Sequence, residues 1–329
     1  MVGGRKIKKS NYKKAMQVFL SLLVLFVVSF FFYREFQKNW EIVRSYDLKI
    51  DPLYIVLSFS AIVVTYLLTT YGWFFTLNFL SNHKITFPES VAMVNTSNLT
   101  KYIPGKVWSY ALQMYWLAKL GFSKSLVLYV NLVNLYVSLM TALIVGLGYL
   151  VLSPDVFPLS MTVPLLSILV LFEFCFIKFN STIINRLLAA FNAVFKRDIQ
   201  YFEITVNMLL YLHGIYVVAA FSFGMGAYLL CFGIGFEVAT NRILQVMSSL
   251  MISEVAGFIA VITPGGLGVR EGVMYLLLKG VSPGALSFIL PLAMRLVSMI
   301  ADIFFGTAGL VLFKQFNEKA ASGNRSMAK

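Results

Sequence analysis

Long apolar runs alternate along this chain with short polar interruptions, and the length of each run decides what it can be. Residues 16–32, Pro52–Leu80, 126–152, 159–177, 204–232 and 283–313 are runs of helix-forming, mostly uncharged residues. Each has at least the ~17 residues that cross a ~30 Å hydrocarbon core as a helix. These runs predict about six full transmembrane helices. Two other apolar stretches are interrupted. Residues 90–103 and 106–120 flank Pro104-Gly105, and residues 242–262 and 267–278 flank Pro264-Gly265-Gly266. Proline removes a backbone donor and clashes with the preceding turn, and glycine lowers helix propensity where the chain must change direction. Backbone groups freed at membrane depth are tolerated only when buried in protein or lining a wet cavity. Each broken unit is therefore expected to be a re-entrant hairpin.

The two broken units repeat one plan. Pro104-Gly105 aligns with Pro264-Gly265, and Gly121-Phe-Ser123 aligns at nearly the same spacing with Gly280-Val-Ser282, each followed by a long apolar helix. The repeats run over about 52–152 and 204–313, within one membrane domain spanning 1–329. Basic loops lie on the cytoplasmic side. If both broken units crossed fully, the basic segment 178–203 would lie opposite the basic residues 1–14. If both return to their own side, residues 1–14, 81–89, 119–124, 178–203 and 314–329 all fall inside. The second arrangement satisfies the rule. It makes the repeats inverted, with the two Pro-Gly tips facing each other, and makes 178–203 a cytoplasmic amphipathic segment.

Composition narrows the class further. With 59% hydrophobic and 12% charged residues and a mean hydropathy of +0.80, the chain is not a soluble domain, whose charged fraction is about a quarter. The fold class is all-α polytopic membrane protein. A net charge of +13 suits nucleic acid as well, but the cations gather at helix junctions and chain ends, and no DNA or RNA motif accompanies them. The first run resembles a signal peptide. Residues 33–40 offer no small-x-small cleavage site, which predicts an uncleaved span with a cytoplasmic N-terminus. Cys175 and Cys231 sit in apolar runs and there are two histidines, so neither a disulfide framework nor a metal or cofactor site is expected.

Charges retained inside apolar helices are costly, which marks them as candidates for function. Arg295 lies mid-helix in the last span, with Ser298 and Asp302 on the same face; Arg270 and Glu271 follow the second break, Glu254 precedes it, and Lys106 follows the first. Two readings compete. Arg295 with Asp302 or Glu271 is a neutralising structural pair, or Lys106, Arg270 and Arg295 present positive charge to a phosphate beside exposed half-helix N–H groups. Asn95, Asn98, Asn131 and Asn134 fit inter-helix hydrogen bonding at least as well as ligand binding. His213 is read as a packing residue before a proton relay. Trp108, Tyr110, Tyr115 and Trp116 suit an interfacial belt as well as a lipid path. No P-loop is present, and no nucleophile, base and orienting group assemble into a catalytic set.

Thr263-Pro-Gly-Gly-Leu-Gly-Val-Arg-Glu271, the earlier Tyr102-Ile-Pro-Gly-Lys106 and the helix around Arg295 together resemble the lysylphosphatidylglycerol synthase transmembrane-region family over nearly the whole chain. The family includes the flippase half of the bacterial multiple peptide resistance factor and stand-alone flippase-like proteins. Many members have Gly-Glu after the first Pro-Gly-basic triplet, where this chain has Val107-Trp108-Ser109. The resemblance implies a non-enzymatic protein of the plasma (inner) membrane, multi-pass with both termini cytoplasmic. Because the chain ends soon after its last span, it is expected to lack the soluble aminoacyl-transferase domain. The expected function is flipping of an anionic lipid, either a phospholipid or a polyprenyl-phosphate-linked sugar. The alternative is a non-transporting partner of a cell-envelope glycosyltransferase or polymerase; a homo-oligomer also stays open.

Overall fold

The computed structural model describes residues 37, 41, 44, 49–102, 108–153, 157–195, 202–260, 263–279 and 284–326. The expected first span at 16–32, the first break at Pro104-Gly105-Lys106, the loop at Asp155 and the Gly280-Val-Ser282 turn lie outside the described residues.

Nine α-helices and no strand occur among the described residues: α1 (Pro52–Leu80), α2 (Phe87–Asn98), α3 (Trp108–Lys119), α4 (Lys124–Val151), α5 (Leu159–Phe195), α6 (Val206–Gly233), α7 (Ile243–Ile259), α8 (Val269–Leu278) and α9 (Gly284–Ser326). Local sequence sets their starts. Asp51 caps α1, accepting the Leu53 N–H at 2.9 Å with Pro52 at the first helical position. Thr86 and Glu89 form a reciprocal capping box at α2, and Ser123 and Thr205 cap α4 and α6.

Helix α1 packs antiparallel to α6, tied by hydroxyls that bond the facing backbone. Ser58 Oγ donates to Gly226 O at 2.7 Å, Ser222 Oγ to Ala61 O at 2.8 Å and Thr65 Oγ1 to Ala219 O at 3.3 Å. Lipid tails are as apolar as leucine, so close packing and such bonds hold membrane helices together. Between α2 and α9 the backbones come nearer still. A Cβ added at Gly309 would lie 2.5 Å from Thr96 Oγ1, a contact only glycine permits. Leu250, Met274, Leu278, Leu286, Leu290 and Met294 fill the space joining α7, α8 and α9.

Both broken units fold back on themselves, and they do so from opposite ends of the bundle. In the first, Gln113 Nε2 of α3 donates to Ser97 Oγ of α2 at 2.7 Å, while the rings of His83, before the unit, and Phe122, after it, lie 5.6 Å apart. That end holds the C-terminus of α1. In the second, Gln245 Nε2 near the start of α7 donates to Leu277 O near the end of α8 at 3.1 Å. Its loop follows α6 at the end where the Asp51 N–H bonds Gly233 O. The tips, at Leu99–Tyr102 and Pro264–Gly266, lie side by side.

Among the described residues, six helices are long and apolar enough to cross a membrane: Pro52–Leu80, Lys124–Val151, Leu159–Arg186, Val206–Gly233, Thr240–Ile259 and Leu286–Phe313. The fifth is the first arm of the second hairpin, which the sequence predicts to be one half of a broken unit rather than a full span. Two boundaries differ from expectation. Helix α5 continues through the predicted junction at 177–178 with only a kink at Phe179 (φ −112°, ψ 18°). Helix α9 runs on to Ser326, through the polar residues expected to form a tail.

Candidate functional site

The second break begins where α7 runs out of donors. The Ala260 N–H still bonds Ala256 O at 3.0 Å, but Pro264 has no N–H, and the chain tightens into a 3₁₀ turn with the Gly266 N–H on Thr263 O at 3.2 Å. Gly266 has φ +71°, and an added Cβ would lie 2.7 Å from Gly257 O. Both the left-handed backbone and the close approach to α7 require glycine there. Helix α8 then starts at Gly268, whose N–H donates to Glu271 Oε2 at 2.6 Å. Glu271 therefore caps the resumed helix.

Arg295 reaches this turn from α9. Its Nη1 donates to Gly265 O at 3.1 Å, and its Nε lies 3.8 Å from Glu271 Oε1. One guanidinium thus takes up a carbonyl at the break and faces the carboxylate that caps the next helix. Both side chains are nearly buried, at 9% and 6% exposure. The neighbouring pair differs. Arg270 Nη2 lies 2.6 Å from Glu254 Oε2, joining the two arms of the hairpin, and about a quarter of each side chain is exposed (23% and 25%).

The first tip is held by a third pair. Lys101 Nζ lies 2.7 Å from Asp302 Oδ1, and the Tyr66 hydroxyl donates to the same oxygen at 2.6 Å while its ring stacks on Phe305 at 5.2 Å. The arrangement corrects one expectation. Asp302 shares a face of α9 with Arg295, but seven residues of helix separate them by about 10 Å. Asp302 pairs with the first hairpin and Arg295 with the second. Among the described residues, Lys101, Arg270 and Arg295 are matched by Asp302, Glu254 and Glu271, so the two arginines do not leave the excess positive charge that the sequence suggests.

Two spaces adjoin these groups. Glu254, Arg270, Glu271, Arg295 and Ser298 line a pocket of about 10 Å³, room for about one water. A wider groove of about 240 Å³ is walled by α1, α4, α6 and α7, with Thr65, Thr69, Leu139, Tyr216 and Phe258 along it and Glu254 and Arg270 in its lining. Its lining is mostly apolar, and that ion pair is the charged part of it.

Residues 17–306 match the family model described as the lysylphosphatidylglycerol synthase TM region. The chain belongs to this family. The stretch matched to the lysylphosphatidylglycerol synthase TM region contains both hairpins, the three ion pairs and the groove. No curated protein matches the chain.

Of the residues that the sequence nominates, the structure gathers Glu254, Arg270, Glu271 and Arg295 around the second break with Gly265 and Gly266, and sets Asp302 beside the first tip. Pro104, Gly105 and Lys106 lie outside the described residues. Three of the expected asparagines join helices: Asn95 Nδ2 donates to Thr70 Oγ1 at 3.3 Å, Asn131 Oδ1 accepts from Trp73 Nε1 at 3.3 Å and Asn134 Oδ1 from the Tyr216 hydroxyl at 3.0 Å. No three His, Cys, Asp or Glu side chains converge on a metal position among the described residues. Sequence reasoning missed Lys101, although it opens the first broken motif, and Glu173. The signal for Glu173 was present, since it is the single charged residue in the run 159–177.

Proposed function

We propose that this membrane protein moves an anionic lipid between leaflets, with the phosphate received at Arg270 and the acyl or prenyl chains lodged in the groove. The observation that carries this reading is the partly exposed Arg270–Glu254 pair in the lining of a mostly apolar groove. An arginine fork binds a phosphate through two parallel hydrogen bonds, as it does a carboxylate. An arriving phosphate takes the place of Glu254 and leaves Arg295 and Glu271 holding the turn.

The two hairpins are re-entrant in this reading, entering from opposite faces of the plasma membrane, and the repeats are inverted. The end carrying His83, Lys84, Lys119 and Lys124 faces the cytoplasm, as do both termini, in keeping with the placement of basic residues. Meeting tips from opposite faces suit alternating access: release of one hairpin from α9 opens the centre to one side while the other stays closed. Transport involves no chemical conversion of the lipid.

Reconstitution into liposomes with fluorescent phosphatidylglycerol, phosphatidylcholine and a short polyprenyl phosphate tests the proposal. Faster exchange of the anionic lipids, abolished by Arg270→Gln, is the expected result. Equal exchange of all three, or none beyond protein-free liposomes, refutes it. Co-purification of a glycosyltransferase without lipid movement points instead to the partner role.

A further inference from the structure

A second polar cluster lies within the apolar part of the bundle, away from the ion pairs of the hairpins. Glu173 of α5 is 5% exposed. The Tyr136 hydroxyl of α4 donates to its Oε2 at 2.6 Å, and His213 Nε2 of α6 lies 3.0 Å from its Oε1. On its other side, His213 Nδ1 lies 2.8 Å from Leu209 O. A carbonyl can only accept, so Nδ1 carries a hydrogen. The facing Nε2 and Oε1, 3.0 Å apart, are both buried and neither makes a hydrogen bond to any group among the described residues, so at this separation two lone pairs face each other unless a proton is added. They require one proton between them, as imidazolium with carboxylate or as imidazole with carboxylic acid.

We propose that Glu173, His213 and Tyr136 form a proton-binding site inside the membrane, and that its proton is exchanged as the lipid crosses. The coupling rests on the transport reading above; the proton site does not. With the shared proton removed, a carboxylate faces the lone pair of Nε2; with one added, a net positive charge sits in an apolar shell. Both states are costly while the three helices stay together. Exchange therefore requires α5 to draw away, and among the described spans α5 is the one least buried against its neighbours. Only 11% of its most apolar window is buried, against 50% for Lys124–Val151 and 44% for Val206–Gly233.

The same two helices wall the groove. Leu135 and Tyr216, both on the groove, stand one residue from Tyr136 and three residues from His213, so a change in the spacing of α4 and α6 at the proton site also changes the groove. Other titratable groups on the packed elements are engaged elsewhere or lie at the margins. Tyr211 meets Tyr71 of α1 at 3.3 Å, Tyr216 bonds Asn134, and the Tyr129 hydroxyl donates to Phe202 O. Lys178 lies over the Phe179 ring at 5.4 Å, Cys175 is exposed, and Lys124 and Arg186 sit toward helix ends.

The two histidines of the chain make the site measurable. In lipid nanodiscs, nitrogen-15 histidine spectra of the whole protein and of His83→Gln should show His213 with Nδ1 protonated and Nε2 sharing a proton, and Glu173→Gln should change the Nε2 signal. In voltage-clamped proteoliposomes, one pH unit across the membrane should drive the leaflet ratio of a singly charged lipid toward about tenfold, if one proton moves per lipid. Glu173→Gln and Tyr136→Phe should still exchange lipid, the first without responding to the gradient. A His213 whose Nε2 signal is unchanged in Glu173→Gln overturns the proton site, and lipid exchange indifferent to the gradient overturns the coupling. Absence of lipid movement with the shared proton present refutes the transport reading and, with it, the coupling alone.

Discussion

Replacing Arg295 separates a residue that holds the fold from one that holds a ligand. In Arg295→Gln the Gly265 carbonyl loses the donor at 3.1 Å, and Glu271, 6% exposed, loses the cation facing its Oε1. Breaking a buried pair by removing one partner costs about 3–5 kcal/mol. The 3.8 Å separation exceeds a hydrogen bond, and Glu271 keeps the Gly268 N–H, so the lower figure applies, roughly 3 kcal/mol or two decades in the folding equilibrium. The assay is thermal and denaturant unfolding in detergent, followed by intrinsic fluorescence. Arg295→Gln should unfold well below the parent protein, and Arg295→Gln with Glu271→Gln should recover part of the loss because no charge is left buried alone. Arg270→Gln, whose partner is a quarter exposed, should unfold close to the parent yet fail to move lipid. If Arg295→Gln retains full stability while Arg270→Gln does not, the roles assigned to the two arginines are reversed.

Three further outcomes follow from the same geometry. Gly266→Ala meets both a positive φ and the Gly257 carbonyl, and should cost at least ~2 kcal/mol in the same unfolding assay; no loss would show that the turn has another conformation. Asp302→Asn removes the charge facing Lys101 at the first tip, and should raise protease cleavage or hydrogen exchange around Leu99–Tyr102 while leaving Val269–Leu278 unchanged. In a background with Cys175 and Cys231 replaced by serine, Asn82→Cys and Thr240→Cys, both exposed at opposite ends of the bundle, should react with a membrane-impermeant maleimide from opposite sides. Labelling of both from one side would refute the opposed hairpins as membrane topology.

The sequence makes the secondary structure legible because the causes are local. Proline and glycine at Pro264-Gly265-Gly266 stop a helix wherever it sits, and apolar length decides what can span, so Pro52–Leu80, Lys124–Val151, Val206–Gly233 and the second break fall where expected. What escapes are distances across the chain. Lys101 and Asp302 are 201 residues apart, and only the folding of the first hairpin against α9 joins them. Heptad spacing makes Asp302 look like the partner of Arg295, yet a guanidinium does not span two helical turns when a carbonyl and a carboxylate from another hairpin lie beside it. Glu173 was hidden by its surroundings rather than by distance. An apolar run with one acid reads as a span, and the tyrosine and histidine that receive it stand on two other helices.

The matching of cations with carboxylates bears on how a lipid phosphate is selected. If the arginines stood free, any anion would be held strongly and released slowly, because attraction between charges grows as water is excluded. Here Arg270 and Arg295 each face a carboxylate, and among the described charged residues only Arg270 and Glu254 line the groove. In the transport reading, a phosphate gains the difference between its own contacts and the one that Glu254 already makes with Arg270, rather than the whole of its own. That difference is small enough to be reversed at each leaflet, which a carrier needs and a tight binder does not. Affinity then rests on the chains in the groove, whose burial favours lipids over free phosphate. A displaced Glu254 must find another cation or a proton, and within the hairpin its arm ends beside Arg295, already occupied by Glu271 and Gly265. Movement of the hairpin away from α9 exposes Glu254 to water. On this argument substrate binding itself favours the opening of the second tip.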